Sequence, residues 1–276
     1  MDFYGLDELI KNALAEDIGH GDITTQSLIS EEQRGEGIFY AKGEGMLAGT
    51  GICQQVFAFL DPQVEFQMLK NDGDELAPGD KIMVVKGQMR ALLSGERVAL
   101  NFMQRMSGIA TKTHGITEMV KYFKAELVDT RKTTPGLRLL EKYAVRVGGG
   151  RNHRFALYDG VMIKDNHIQA VGGIQKAVCL ARQRLPHTLK IEVEVETLEQ
   201  LQEALEAQAD IIMLDNMDVE IMKTAVEITA GRALLEASGG IYEENIVEIA
   251  RTGVDFISCG ALTHSAVSLD ISFKIS

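Results

Sequence analysis

From residue 125 onward, short apolar runs alternate with segments whose apolar residues recur every three or four positions. The runs are AELVDT (125–130), GVMIK (160–164), LKIEVEVE (189–196), DIIMLD (210–215), ALLEAS (233–238) and DFISCG (255–260). Each is strand-sized and apolar or β-branched. The intervening patterns predict helices over 172–185, 197–208, 219–229 and 243–252. Thr197 and Gln200 have the spacing of a capping box, and Gly253 closes the last helix. Six β-then-α repeats predict a parallel sheet with helices outside it, closed or nearly closed into a (β/α) barrel. A doubly wound open sheet would place a glycine-rich turn after its first strand, and DTRKTTPG is not one.

The first 110 residues follow another pattern. A helix is expected over 6–16, then GDITT. Strands are expected at EGIFYAK (36–42), VEFQML (64–69) and KIMVVKG (81–87), with NDGD and APGD as turns between the later ones. A further helix is expected from about 94 through 106. The final residues, LDISFKIS, alternate apolar and polar, as a strand returning to the first domain would. The fold class is therefore α/β, with an N-terminal domain over 1–110, a barrel over 111–267 and a returning strand within 268–276.

Charge sharpens this picture. The chain carries a formal −12. Residues 131–154 nevertheless hold Arg131, Lys132, Arg138, Lys142, Arg146, Arg151 and Arg154 against the single acid Glu141, a local +6 that leaves −18 elsewhere. Three glycines precede Arg151, Asn152, His153 and Arg154 in GGGRNHR. A cation cluster beside a flexible backbone, in an acidic protein, fits a small, strongly anionic substrate. It does not fit nucleic acid, whose phosphates call for an excess of basic residues.

The polar residues gather where the predicted strands end. Arg131 and Lys132 follow the first strand and Lys164 ends the second. Glu192 and Glu194 share a face of the third. Asp215 ends the fourth, Ser238 the fifth, and Gly260 follows the sixth. In a barrel these ends converge on one mouth. Arginines there suit planar carboxylates. The Ser238-Gly239-Gly240 turn suits a phosphate. Paired carboxylates suit sugar hydroxyls or Mg²⁺. His167 and His264 fall on loops of the same mouth.

Other classes find no support. MDFYGLDELI lacks the basic stretch and apolar run of a signal peptide, and no run of about 18 apolar residues is present. No membrane partner is expected. Cys53, Cys179 and Cys259 have no metal-like spacing and read as reduced, mostly buried thiols of a cytoplasmic protein. No Ser-His-Asp order, CxxC pair, HExxH or P-loop occurs.

The strings EDIGHGDITT, SGIAT, DTRKTTPGLR, KYAVRVGGGRNHR, IKDNH, EVEVE, LDN, SGG and GALTHS together resemble the quinolinate phosphoribosyltransferase family over residues 6–270. The resemblance implies an N-terminal α/β sandwich domain and a C-terminal open α/β barrel. It also implies a homodimer, or a higher assembly of dimers, in which each subunit completes its neighbour's site. The substrates implied are quinolinate and phosphoribosyl pyrophosphate, with Mg²⁺ as cofactor and nicotinate mononucleotide, pyrophosphate and CO₂ as products. It assigns Arg131, His153 and Arg154 to the two carboxylates of quinolinate, with Lys132 alongside and Arg97 reaching in from the partner. Lys132 and Lys164 face phosphoribosyl pyrophosphate. Glu194 and Asp215 hold ribose hydroxyls and, directly or through water, Mg²⁺; with Lys132 they form the catalytic set. Ser238, Gly239, Gly240, Gly260 and His264 line the phosphate pocket, and Lys142 is a further cation nearby. Two rivals compete. One is a paralogue with another acceptor, such as the molybdenum-associated homologue. The other is a non-catalytic anion-binding protein, which has no need of the Glu194–Asp215 pair.

Overall fold

The computed structural model describes residues 5–276, which form two compact units. The first comprises residues 5–112, Pro135–Gly148 and Ala266–Ser276; the second comprises Thr113–Thr134 and Gly149–Ser265. The opening elements are α1 (Leu6–Ile18), α2 (Ile23–Leu28), β1 (Arg34–Ala41), β2 (Gly45–Met46), α3 (Thr50–Leu60), β3 (Glu65–Met68), β4 (Glu75–Leu76), β5 (Lys81–Gln88) and α4 (Met89–Val120). The chain continues through β6 (Glu126–Val128), α5 (Arg138–Val147), β7 (Val161–Ile163), α6 (Asp165–Val171), α7 (Ile174–Arg184), β8 (Ile191–Val195), α8 (Leu198–Glu206) and β9 (Ile211–Asp215). It closes with α9 (Val219–Thr229), β10 (Leu234–Ser238), α10 (Ile246–Ala250), β11 (Phe256–Ser258), α11 (Ala261–His264) and β12 (Ile271–Ile275).

In the first unit an antiparallel sheet runs in the order β12-β1-β5-β3. Residues 271–275 pair with β1, so that Phe273 faces Phe39. Those two rings and Phe57 pack with centroids 4.6–6.0 Å apart, behind a sheet whose inner residues Ile82, Met83 and Val85 are fully buried. Leu6, Ile10 and Leu14, one turn apart, bury the inner stripe of α1.

The second unit holds six parallel strands in the order β6-β11-β10-β9-β8-β7. Val193, Ile212, Leu214, Ala237 and Ile257 are fully buried, as strands covered on both faces require. Among the described residues β6 and β7 do not pair with each other, so the barrel is open between them. Helix α8 starts as its sequence predicts. The Thr197 hydroxyl accepts the Gln200 N–H at 3.2 Å, and the Gln200 side chain accepts from Glu196 N at 2.7 Å.

Three differences from the sequence reading have physical causes. The helix expected over 172–185 forms as α7 from Ile174, and the unpredicted α6 ahead of it is ended by Gly172 and Gly173, whose φ are 88° and 129°. The helix expected over 94–106 extends to 89–120, because burial of residues such as Leu92, Met103, Met106 and Ile116 overrides the helix-weakening Gly95, Gly108 and Gly115. The segment 135–148, placed by sequence in the barrel domain, packs with the first unit. There the Tyr143 hydroxyl donates to Asp72 at 2.8 Å. Asp72 also accepts both N–H groups that open α3, from Gly49 and Thr50, at 3.0 Å. The fully buried Glu141 pairs with Arg105 at 2.8 Å. Burial and Asp72 together push the Tyr143 phenol well above its ordinary range.

Phe39 is fully buried at the centre of the ring cluster. Phe39→Ala should therefore cost about 3–5 kcal/mol, seen as a lower urea midpoint at unchanged slope.

Candidate functional site

The cation-rich segment is built against the edge of β6. Gly149 takes a φ of 91°, a left-handed turn that favours glycine. Beyond it the backbone runs beside β6. Arg151 N donates to Leu127 O at 2.8 Å, and Asp129 N donates to Arg151 O at 3.1 Å. The fully buried Asp129 fastens the next two residues. Its carboxylate accepts the Asn152 side-chain amide at 2.6 Å and the His153 backbone N–H at 2.9 Å. Arg154 then donates from its guanidinium to Gly160 O at 3.0 Å. Burial, reinforced by the positive charge of Arg131, lowers the hold of Arg154 on its proton.

One cavity of about 520 Å³ gathers the strand ends. Arg131, Lys132, His153, Arg154, Lys164, Glu194, Asp215, Ser238, Gly239 and Gly240 all line it. The Lys164 ammonium is in a short ion pair with Glu194. The Lys132 carbonyl accepts the Thr263 hydroxyl at 2.7 Å. The Lys132 side chain runs over Gly260, where a Cβ would come within 2.9 Å of its Cδ and 3.2 Å of the His264 ring, so Gly260 and His264 are its neighbours. His167 is committed to its own helix: its Nδ1 accepts Lys164 N–H at 3.0 Å and caps α6.

Two residues assigned by the family resemblance are not among those lining this cavity. Lys142 is 2% exposed on α5, in the first unit. Arg97 stands exposed on α4, in the first unit.

The structure adds three residues that sequence reasoning did not assign to the site, Asp129, Asn216 and Glu236, and gives a partner to Glu192, which the sequence placed on the same face as Glu194. Asp129 anchors the segment that carries His153 and Arg154. Asn216, with a φ of 53°, donates its amide to Asp215 at 2.8 Å and its backbone N–H to Ser238 O at 2.9 Å. Glu192 and Glu236 are buried on β8 and β10, with His153 Nε2 3.0 Å from the first and 3.6 Å from the second. Glu192 and Glu236 precede Glu194 and Ser238 by two residues, so the period of two along a strand already aims all four at one face. Of the carboxylates, Glu194 and Asp215 combine hard oxygen donors with a place on the cavity wall, the donor chemistry that suits Mg²⁺.

The chain is similar to known proteins along its whole length. Residues 22–107 match the N-terminal domain of quinolinate phosphoribosyl transferase, and residues 109–274 match its C-terminal domain. The chain is 49% identical over 276 residues to the "Probable nicotinate-nucleotide pyrophosphorylase [carboxylating]" of Bacillus subtilis, covering 100% of this chain and 95% of that protein. It is 44% identical to the quinolinate phosphoribosyltransferase [decarboxylating] 2b, mitochondrial, of Nicotiana tabacum, covering 99% of this chain and 82% of that one. The crystal structure of NadC from Streptococcus pyogenes superposes with a TM-score of 0.96 at 45% identity, covering 100% of this chain and 99% of that one. The chain belongs to the quinolinate phosphoribosyl transferase family.

Proposed function

We propose that the chain transfers the phosphoribosyl group of phosphoribosyl pyrophosphate to quinolinate with loss of CO₂, giving nicotinate mononucleotide and pyrophosphate. The observation that carries this reading is the meeting of Arg131, Lys132, His153, Arg154 and Lys164 with Glu194, Asp215 and the 238–240 turn around one cavity of about 520 Å³. That volume suits a small-molecule site. The mixture of cations, carboxylates and exposed backbone suits a sugar phosphate beside a dicarboxylate. A purely anion-binding protein would leave Glu194 and Asp215 without a purpose.

In this reading Arg131, His153 and Arg154 hold the carboxylates of quinolinate and point its ring nitrogen at C1 of the ribose. Lys132 and Lys164 face the phosphates, with Gly260 and His264 beside Lys132. Glu194 and Asp215 take the ribose hydroxyls. Ser238, Gly239 and Gly240 cradle the 5′-phosphate. On binding, Lys164 exchanges part of its pairing with Glu194 for phosphate oxygen. As the pyrophosphate bond breaks, the lysines meet its developing charge. Holding both reactants in line is worth roughly 7–11 kcal/mol over free encounter. Glu194 and Asp215 would hold Mg²⁺, which supplies further charge neutralisation to the leaving pyrophosphate. The active form is a homodimer in the cytoplasm, in which the exposed Arg97 is offered to the neighbouring subunit's dicarboxylate.

Pyrophosphate release measured with phosphoribosyl pyrophosphate and Mg²⁺ should require quinolinate and fail with nicotinate; release with nicotinate alone would refute the assignment. Arg154→Ala should weaken quinolinate binding by about 2–5 kcal/mol in a titration, through loss of a charged partner. Arg97→Ala and Lys132→Ala, each inactive, should recover part of the activity when mixed under verified subunit exchange. No recovery would exclude a shared site.

A further inference from the structure

The proposed substrate contacts leave two glutamates inside the second unit without a task. Glu192 and Glu236 are 4% and 3% exposed, and Oε1 of each has no hydrogen-bond partner. Burying a carboxyl oxygen without a partner is costly, so its persistence calls for a reason. Their other oxygens share the His153 ring, and the three donor atoms lie within 4.8 Å of one another. Glu236 lines the substrate cavity and also a second one, of about 460 Å³. The second cavity is bordered by Lys190, just before β8, by Ile211 at the start of β9 and by Phe256 at the start of β11. Glu236 therefore stands in the wall between the two cavities.

The reaction needs such a group. Once the ring nitrogen is bonded to the ribose, the bond from C2 to its carboxylate breaks and CO₂ leaves. The electron pair stays on C2, beside the cationic nitrogen. That carbon must take a proton, or the CO₂ recombines with it. Several other groups of the cavity wall are already paired. Lys164 is paired with Glu194, and Asp215 accepts from Asn216. Both nitrogens of His153 are engaged: Nδ1 accepts the Arg154 N–H at 2.7 Å, and Nε2 faces Glu192. Glu236 alone of the wall carboxyls combines burial with an oxygen free of hydrogen bonds.

We propose that Glu236 donates the proton that C2 takes up as CO₂ departs, and that water in the second cavity restores it. The balance closes: the carboxyl O–H bond breaks, a C2–H bond forms, and the glutamate left behind regains one proton from solvent. This rests on the quinolinate reading of the site. The surroundings favour the protonated acid. Burial and the facing carboxylate of Glu192 push Glu236 up to about 7, with Asp129 acting the same way from just past the end of β6; His153 and Ser258 pull against them. Arg154 also feels Glu192, with Arg131 and Asp159 acting on it in turn, and Lys190 borders the second cavity. Glu236 thus keeps its proton to a higher pH than an ordinary carboxyl.

The test is a single turnover of the full-length protein with quinolinate labelled in its 2-carboxylate, phosphoribosyl pyrophosphate and Mg²⁺. CO₂ and pyrophosphate are counted separately from pH 6 to pH 9. For Glu236→Gln, CO₂ should lag pyrophosphate by about 10²-fold or more, with the undecarboxylated mononucleotide accumulating. The unsubstituted protein should lose its CO₂ rate as pH rises through neutrality, a limb missing from the variant. Glu236→Asp, which keeps an acid on a shorter arm, should restore part of the CO₂-to-pyrophosphate ratio and guards against a folding defect in the amide variant. If both variants release CO₂ in step with pyrophosphate, at any rate, Glu236 is not the donor. If the unsubstituted protein releases no pyrophosphate from quinolinate, the activity itself is wrong and this assignment falls with it.

Discussion

A single buried carboxylate, Asp129, organises the site. It is fully buried, and both of its oxygens accept from the chain some twenty residues later, at 2.6 and 2.9 Å. A carboxylate out of water is tolerable only when hydrogen-bonded. The residues after Gly149 must therefore lie along the open edge of β6, and that path delivers His153 and Arg154 to the same opening as Arg131 and Lys132. The open barrel is part of this logic. The edge left free by the absent β6–β7 pairing is the edge that 151–154 occupies.

Gathering cations in one place raises the problem of their mutual repulsion, visible in the effect of Arg131 on Arg154. The molecule answers with interleaved carboxylates: Glu194 against Lys164 and Glu192 against Arg154. In the absence of substrate these acids serve as counter-ions. An anionic ligand competes with them, so affinity reflects a difference between two sets of charge pairs and not the bare sum of the cations. The strongly acidic remainder of the chain keeps this local positive field confined to the cavity.

Much of this was legible in the sequence, for identifiable reasons. Strand ends carry chemistry in a barrel, so Lys164, Glu194, Asp215 and Ser238 could be found from run boundaries alone, and the cap at Thr197 came from residue type and spacing. What escaped was long-range. Helix α3 escaped although Ile52, Cys53, Val56 and Phe57 recur at helical spacing, because no local cap marks its start: its N-terminus is held by Asp72, twenty-two residues further on. The membership of α5 in the first unit depends on Tyr143 and Glu141 finding Asp72 and Arg105. Glu236 sits as a lone acid in the apolar run ALLEAS; its two-residue offset from Ser238 pointed it inward, yet only the fold shows Glu192 and His153 waiting there.

The approach of Asn216 to the turn after β10 carries an evolutionary consequence. A Cβ on Gly239 would fall 2.2 Å from the Asn216 side-chain oxygen and 2.9 Å from its backbone nitrogen. The same asparagine steadies Asp215. Any lineage that enlarges residue 239 must first displace the group that steadies Asp215, so the two loops cannot drift independently. Changes in the 238–240 turn and in the placement of Asp215 are bound to arrive together or not at all.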